Sequence, residues 1–369
     1  MPASKVAGIR LRLARFSAPY RQRLTESGAS FCGFLREHQI STKTLEKGSA
    51  QLLDQLLDEF VNHLHQHRSR RKGILRVAKH AILFVQTVRP DVRGLLKTCW
   101  TTVKAWQEQE PSQLRAPMPL VLMMAMLCKA RLIGLNAGPG ANQQKLLVFS
   151  ALTGLAFFGL LRPGELLNLT REDVEIPNQL SLGLPCVTVR IRKPKNFRQL
   201  GHAQFAVVKQ PDICNWITWV YEHAKPGQPL WPHGASAFRA LFKQVCTKLL
   251  KQSHSFSPAS LRAGGATFMF DQCMDVGHLR LAGRWASPQS LEHYIQQAKA
   301  QQLVLQIPLK VSERIRTLIS KGYFLLALPD KLAEPLNFES LLSHGLGCFL
   351  RAEPLWKVCR RWGSLAEEV

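Results

Sequence analysis

The chain has 369 residues, of which 46% are apolar and 20% charged, a composition that supports two or three folded domains and excludes disorder as the main state. Its 49 Lys and Arg residues against 25 Asp and Glu give a net charge of +24, which points to a polyanionic partner. The longest uncharged apolar stretch, residues 146–161, is shorter than the roughly 20 residues that a bilayer span needs, so no membrane partner is expected.

The nine cysteines are scattered singly, without a CxxC pair, which argues against a disulfide scaffold or a zinc finger. A reducing, intracellular compartment follows from this, with the nucleus favoured for a eukaryotic chain. No secretory signal is visible. The first 25 residues contain no acid, however, which leaves an organellar transit peptide as an alternative.

The segment 1–114 is predicted to be a helical DNA-binding domain. Apolar residues between Leu52 and Leu64 recur at spacings of three and four, and further helices are predicted at 73–88 and 93–107. The span 66–97 carries nine Lys and Arg against Asp91 alone, which favours phosphate contacts over an ordinary solvated helix face. The candidate DNA-binding residues in this span are Arg68, Arg70, Arg71, Lys72, Arg76 and Lys79.

Residues 108–119, with three prolines, form the best linker candidate. The chain beyond them is predicted to be mainly α, with a small antiparallel β-sheet. The predicted helices are 119–132, an apolar helix ending at 161, 212–223, 235–250, 257–270 and 287–300, and the predicted strands are 186–191 and 204–208. Residues 115–310 are assigned to one domain and residues 311–369 to a helical extension of unknown role.

Arg162 stands at a junction that the sequence makes rigid. Because it precedes Pro163, the apolar helix must stop there, and the proline suits the first position of the next helix. A guanidinium held in this way can donate two parallel hydrogen bonds to a phosphate, and Glu165 could orient it from the following turn. The alternative is a structural Arg–Glu pair that closes a helix end.

A basic turn lies between the two predicted strands, with no acid anywhere from residue 187 to 208. A hairpin tip of this kind can enter a nucleic-acid groove and bring a lysine to a phosphate ester. Taken alone, it also fits a charged sheet edge. Its cationic residues are Arg190, Arg192, Lys193, Lys195 and Arg198.

Two later segments place an arginine and a tyrosine. A Ser-Pro pair at 257–258 predicts a helix start that holds Arg262 near the first turn, and the glycine pair at 264–265 allows another backbone to approach closely. A Gly-Arg-Trp motif at 283–285 then precedes a second Ser-Pro helix start, and Tyr294 is expected inside the helix that follows.

Together these segments resemble the catalytic domain of the tyrosine recombinases, the phage-integrase family. They are Leu-Leu-Arg-Pro-Gly-Glu-Leu at 160–166, the lysine-bearing hairpin, Ser-Leu-Arg-Ala-Gly-Gly-Ala-Thr at 260–267, the Gly-Arg-Trp motif and Tyr294. Arg162 and Arg262 are 100 residues apart and Tyr294 follows Arg262 by 32, spacings that suit the family. The resemblance covers about residues 117–300, and it implies an N-terminal helical bundle joined to an integrase-like catalytic domain.

The resemblance implies that Tyr294 attacks a DNA phosphodiester and forms a 3′-phosphotyrosyl link. Arg162 and Arg262 would hold the non-bridging oxygens, and Trp285 would pack against the phosphate or donate to it. Lys195 is the preferred donor of a proton to the leaving oxygen, with Lys193 as its rival. The chemistry needs no metal and no other cofactor, and the implied partners are duplex DNA and further copies of the chain, a tetramer on DNA, in DNA recombination or the integration of a mobile element.

One position departs from the family pattern. The family usually has a histidine three residues before its second arginine, and this sequence has Ala259 there, which can neither donate nor move a proton. Activity could be reduced, a neighbour such as His254 could substitute, or the chain could bind DNA without cutting it efficiently. A relative of the type IB topoisomerases, which use similar chemistry to relax supercoils, is a further alternative.

Overall fold

The computed structural model describes residues 16–67, 73–110, 115–136, 140–177, 186–192, 194, 203–221, 224–251 and 254–327. The chain divides into two compact units, residues 1–113 and 114–369, and the division falls inside the stretch 108–119. Within the described ranges, every helix is too short or too polar to cross a bilayer.

The first unit is helical throughout its described part. Its helices are α1 (Ala18–Glu37), α2 (Thr44–Lys47), α3 (Ala50–Gln66), α4 (Ile74–Val88) and α5 (Lys97–Gln109). In the apolar stripe predicted for α3, Leu53, Leu57 and Val61 are buried in the core, whereas Leu52 at the edge of the stripe is 40% exposed.

Helix α5 begins four residues later than the predicted start at 93. The reason is a contact across the bundle, because the buried Asp54 carboxylate of α3 accepts hydrogen bonds from the backbone N–H groups of Thr98 and Cys99 at 2.9 and 3.0 Å. These donors would otherwise be unsatisfied at the helix start. Burial alone would raise the pKa of Asp54, but the two backbone hydrogen bonds outweigh it and hold the pKa below its usual value.

The second unit is mainly helical and contains a small antiparallel sheet, as predicted. Its helices are α6 (Leu120–Asn136), α7 (Ala141–Phe158), α8 (Pro163–Leu166), α9 (Pro211–Tyr221), α10 (Gly234–Leu250), α11 (Ala259–Cys273), α12 (Val276–Ala282), α13 (Pro288–Glu292), α14 (Gln297–Leu305) and α15 (Leu309–Ala327). Its strands are β1 (Val174–Glu175), β2 (Val187–Ile191) and β3 (Gln204–Val208), hydrogen-bonded in that order.

The hairpin of β2 and β3 confirms the two predicted strands, with Val187 opposite Val208 and Ile191 opposite Gln204. The two-residue β1 was not predicted, since so short a segment carries no alternating pattern. On β2 the residues Val187, Val189 and Ile191 face the core.

The long helices α6 and α7 pack on each other in the centre of this unit. Helix α15 packs on α6, α9 and α10 and buries Ile315 and Ile319, so the beginning of the segment 311–369 belongs to the same packed unit. The predicted role of that segment as an extension stays open, and its residues 328–369 lie outside the described ranges.

The glycine pair brings α11 against the backbone of the rest of the unit, as predicted. A Cβ at Gly264 would collide with the carbonyl of Met118, and one at Gly265 would collide with the carbonyl of Phe157 at the end of α7. Both neighbours are backbone atoms, which cannot rotate away. This close approach places the start of α11, and with it Arg262, beside the segment that follows α7.

We expect Gly265→Ala to lower the free energy of unfolding by about 1–3 kcal/mol, because the added methyl overpacks a contact between two backbones. Gly33→Ala on α1 is the matched control, since a Cβ there meets nothing within 4 Å. Within a helix this change should instead stabilise the chain by about 0.5–1 kcal/mol. Chemical denaturation measures both, and equal stability of Gly265→Ala and wild type would contradict the packing described.

Candidate active site around Glu165

Arg162 and Glu165 close the turn between α7 and α8. Arg162 has an extended backbone and caps α8, whose first residue is Pro163, as the sequence predicts. The Glu165 carboxylate accepts the backbone N–H of Arg162 at 3.0 Å and its guanidinium at 2.5 Å. The Arg162 side chain remains 22% exposed, so its outer face is open to a ligand.

Arg262 lies in the first turn of α11 and is only 1% exposed. Its guanidinium donates to the carbonyl of Leu160 and, at 2.6 Å, to the carbonyl of Gly283. One Arg262 terminal nitrogen lies 4.0 Å from a Glu165 oxygen. An arginine carries five N–H donors, so three of those of Arg262 remain for other acceptors, and its buried Nε has no partner among the described residues.

The predicted cap of α11 is wrong in detail. The helix begins at Ala259, and Pro258 precedes it with a helical backbone, at φ −53° and ψ −26°. The side chain of Ser257 does not cap the helix; its own backbone N–H donates to the hydroxyl of Ser260 at 3.1 Å. Arg262 still lies in the first turn of the helix, as predicted.

A third arginine, Arg284, joins the site and was not among the predicted residues. It is 8% exposed and donates to the carbonyl of Leu160 at 3.0 Å and to Glu165 at 3.4 Å. In the Gly-Arg-Trp motif, only Trp285 was assigned a role from the sequence. The signal that could have revealed Arg284 is a cation between a glycine and a tryptophan, in a segment with few other charges.

The three guanidinium groups share one carboxylate. Among the described residues, Glu165 is the only acid within ion-pair distance of Arg162, Arg262 and Arg284, which leaves an excess of two positive charges. Burial would raise the pKa of Glu165, but the hydrogen bond from the Arg162 backbone and the charges of Arg162 and Arg284 outweigh it, so its pKa lies below the usual range. Burial, then the charges of Arg162 and Arg284, lower the pKa of Arg262. Such an excess favours binding of an anion.

Two aromatic rings cover Arg262. The Trp285 ring lies 4.3 Å and the Tyr294 ring 5.5 Å from the guanidinium carbon, and the ring centroids are 5.1 Å apart. Both distances suit cation–π contacts. The Trp285 Nε1 is buried without a partner among the described residues. Trp285 also fills the space beside Gly283, where any side chain would collide with the indole.

Tyr294 does not lie inside a helix, contrary to the prediction of one helix over 287–300. Helix α13 starts after the N-cap Ser287, as predicted, but it ends at Glu292, and α14 starts at Gln297. The break has a tertiary cause, because the Thr267 hydroxyl of α11 donates to the carbonyl of Tyr294 at 2.9 Å and accepts from the N–H of Gln296 at 3.2 Å. The nucleophile candidate therefore sits on a turn that is held by α11.

The basic hairpin is described only in part, since Lys193, Lys195 and Arg198 lie outside the described residues. Arg192 is paired with Glu172 and Asp173, each at 2.5 Å, and Arg190 lies 3.7 Å from Asp173. These two arginines thus brace the sheet against the turn before β1. Their assignment to DNA contact, and the proton-transfer role of the two lysines, stay predictions.

The basic span of the first unit is also described in part. Arg68, Arg70, Arg71 and Lys72 lie outside the described residues, Arg76 is exposed on α4, and Lys79 is half-buried there. Arg89, counted in the same span, has a structural use, because it pairs with Asp91 at 2.5 Å and donates to the carbonyls of Leu45, Glu46 and Gly48 at 3.0–3.3 Å.

His254 was a candidate substitute for the histidine missing at Ala259. Its ring stacks on Phe256 at a centroid distance of 5.9 Å and lies 3.4 Å from the Thr247 hydroxyl. Burial lowers its pKa from the ordinary histidine value. Among the described residues, its contacts do not reach the three arginines, so the structure offers no support for that substitution.

Comparisons with known proteins give distant likenesses. No family model and no curated protein matches the chain. Among solved structures, XerH site-specific recombinase bound to its palindromic difH substrate in a post-cleavage complex is 13% identical to this chain, with a TM-score of 0.46. The match covers 71% of this chain and 72% of the XerH chain. XerA recombinase is 14% identical, with a TM-score of 0.37, and the match covers 77% of this chain and 98% of the XerA chain. The Tn1549 transposon integrase in complex with circular intermediate DNA is also 14% identical, with a TM-score of 0.45, and the match covers 75% of this chain and 98% of the integrase chain.

We expect Glu165→Gln to lower the free energy of unfolding by about 3–5 kcal/mol at neutral pH, because it leaves buried arginines without their counter-charge. The pKa of Glu165 is lower in the folded chain than in the unfolded chain. Its charge therefore stabilises the fold fully at pH values above the unfolded-state pKa, and this stabilisation is lost as the pH falls through the folded-state pKa. The stability difference between wild type and variant should therefore shrink on acidification.

Chemical denaturation across the acidic range measures this difference. The matched control is Glu175→Gln, at an exposed position on β1, which should change stability by less than about 0.5 kcal/mol. Equal stability of Glu165→Gln and wild type at neutral pH would show that the carboxylate does not hold the arginines.

Proposed function

We propose that the chain is a tyrosine recombinase that binds duplex DNA and cuts and rejoins it through Tyr294. The observation that carries the proposal is the grouping of Arg162 and Arg262 around one buried carboxylate with positive charge in excess, with the Tyr294 ring 5.5 Å from the Arg262 guanidinium carbon. The resemblance to the family rests on five segments of the chain, and four of these five meet at this place.

In the proposed reaction the Tyr294 oxygen attacks the phosphorus of one DNA strand. The Tyr294 hydroxyl gives up its proton as the phosphorus–tyrosine bond forms, and the bond from phosphorus to the 5′-oxygen breaks. The strand end leaves as a 5′-hydroxyl after taking up one proton, so no proton is gained or lost overall. A second 5′-hydroxyl reverses the step. Arg162 and Arg262 stabilise the negative charge that builds up on the non-bridging oxygens, and removing one such donor costs about 3–4 kcal/mol in comparable sites.

Arg262 can serve in this way only after its cover moves. Its guanidinium is 1% exposed beneath the rings of Trp285 and Tyr294, whereas Arg162 is open at the surface. We infer that a phosphate first meets Arg162 and that the turn bearing Tyr294 then swings to admit it to Arg262. The unpaired Nε of Arg262 and Nε1 of Trp285 would find acceptors in that phosphate.

The groups that would transfer protons are where the proposed site departs from the family. Ala259 replaces the histidine of the family, and the loss of one general acid–base group typically slows a reaction by about 10²- to 10⁴-fold. Lys195, with Lys193 as its rival, remains the proposed proton donor to the leaving oxygen. The specific observations of Ala259 and of the buried Arg262 favour a second candidate, a DNA-binding protein that has kept the clamp and lost efficient turnover.

Tyr294→Phe should abolish a covalent protein–DNA adduct that the wild type forms on duplexes nicked near the cleavage point. A random-sequence duplex library supplies the substrate, and sequencing the trapped DNA gives the target. Tyr20→Phe, a change at a tyrosine of the first unit, is the matched control and should leave the adduct in place.

Three other outcomes are informative. Adduct from neither wild type nor control, together with tight binding to DNA, would support the non-cutting alternative and contradict the proposed enzyme. Relaxation of a supercoiled plasmid without any enriched target would favour a type IB topoisomerase. A requirement for two paired target sites in one complex would support the proposed assembly of several copies on DNA.

DNA affinity should fall with salt in proportion to the phosphates contacted, by about 0.9 in log affinity per contact for each tenfold rise in salt. If Arg76 and Lys79 contact phosphates, replacing each with alanine should flatten that slope by about 0.9. Lys104→Ala on α5 is the control, since Lys104 is 78% exposed and pairs with Glu108 in the same unit. If all three variants show the same salt dependence as the wild type, α4 does not belong to the proposed interface.

A further inference from the structure

Arg284 links two segments of the chain that meet at the proposed site. Its guanidinium donates to the carbonyls of Gly159 and Leu160 at 3.3 and 3.0 Å, to its own neighbour Ala282 at 3.2 Å, and to Glu165 at 3.4 Å. It therefore ties the turn after α7 to the turn after α12. Arg262 bridges the same two turns through Leu160 and Gly283.

The backbone of Arg284 is left-handed, with φ at +59°. An L-residue with a side chain rarely adopts this conformation, and glycine is the residue that does so without strain. The partner turn shows the same feature, because Leu160 has φ at +48°. A large side chain at such a position is retained only where its contacts offset the strain, and the contacts of Arg284 are the four hydrogen bonds.

Arg284 and Arg162 hold opposite oxygens of the same carboxylate. The Arg162 guanidinium donates to Oε1 of Glu165, and Arg284 donates to Oε2, which also accepts the backbone N–H of Arg162 at 3.0 Å. With one cation on each oxygen, the plane of the carboxylate is set, and the direction of the Arg162 guanidinium is set with it. Arg284 itself is 8% exposed and lies behind this pair, where it meets backbone carbonyls rather than open surface.

We infer that Arg284 is a positioning residue: it orients Glu165, and through Glu165 it aims Arg162 and Arg262 at the phosphate of the cleaved strand. The inference rests on the proposed function of the site. Arg284 makes no contact with the reacting atoms in this account. Without it, Oε2 of Glu165 keeps only the backbone N–H of Arg162 as a hydrogen-bond donor among the described residues, and the hydrogen bonds of Arg262 are left to join the two turns. The two arginines then lose the geometry that a phosphate clamp needs.

The test compares Arg284→Gly with Arg284→Lys and with the control Lys251→Gly. Lys251 also has φ at +59°, at the end of α10, so its replacement relieves the same backbone strain without touching the site. Arg284→Lys keeps the charge but loses the planar fork of donors. Thermal unfolding should show a lower Tm for Arg284→Gly and an unchanged or higher Tm for Lys251→Gly.

The first readout does not depend on activity. In protein carrying ¹³C at the glutamate carboxyl carbons, the Glu165 signal is identified by its loss in Glu165→Gln, and its titration is followed by NMR. In Arg284→Gly the pKa of Glu165 should rise by about one unit or more, since one of its opposite charges is gone. Lys251→Gly should leave the titration unchanged, and Arg284→Lys should lie between.

The second readout is the single-turnover rate of adduct formation on the nicked substrate. Arg284→Gly should slow it by about 100-fold, as expected for displaced catalytic groups, while DNA affinity stays within about twofold of wild type. Arg284→Lys should restore part of the rate, and Lys251→Gly should react like wild type.

The possible outcomes distinguish the proposed function of the site from the positioning role of Arg284. If wild type forms no adduct, the proposed function fails, while the Glu165 titration still judges the role of Arg284. An unchanged Glu165 titration in a folded Arg284→Gly or Arg284→Lys would overturn the inference, and so would a shift of equal size in Lys251→Gly. If Arg284→Gly does not fold, Arg284→Lys decides the matter with the same two readouts.

Discussion

The site depends on one buried carboxylate that serves three arginines. Glu165 is paired with Arg162, Arg262 and Arg284, which come from three turns far apart in the chain. Taking a cation out of water is costly unless a counter-charge and further acceptors compensate for it. Here the compensation is shared between Glu165 and the carbonyls of residues 159, 160, 282 and 283, which leaves guanidinium donors and positive charge unused. This shortage of negative charge is what makes the place suitable for a phosphate.

The aromatic rings of Trp285 and Tyr294 close the same site. Trp285 and Tyr294 shield the Arg262 guanidinium, so the cation that should stabilise the reaction is kept from solvent by the proposed nucleophile. The turn that carries Tyr294 is held by two hydrogen bonds to the Thr267 hydroxyl and by one from the Gln296 side chain to the carbonyl of Arg115, so a movement of this turn is the simplest route to an open site. A site that is closed over its own cation limits contact with other anions, and the DNA proposed as ligand would have to supply the free energy of opening.

Much of the site could be predicted from local sequence. A proline forces the chain to turn after Arg162, paired glycines permit the approach of α11, and the strands at 187–191 and 204–208 follow from apolar β-branched runs. What could not be predicted depends on distant partners. The break at Tyr294 is imposed by Thr267, the late start of α5 by Asp54, and the burial of Arg284 by carbonyls more than 100 residues away. Pattern reasoning sees neighbours along the chain, and these contacts join residues that only folding brings together.

The most direct test of the central claim is to locate the covalent bond. Wild-type protein incubated with the DNA proposed as its target, digested with nuclease and protease and examined by tandem mass spectrometry should yield a peptide with a nucleotide attached to Tyr294. That peptide should be strongly depleted when either Arg162 or Arg262 is replaced by alanine. A nucleotide found on a different residue, or an undiminished yield in both arginine variants, would contradict the account of a phosphate held between these cations and attacked by this phenol.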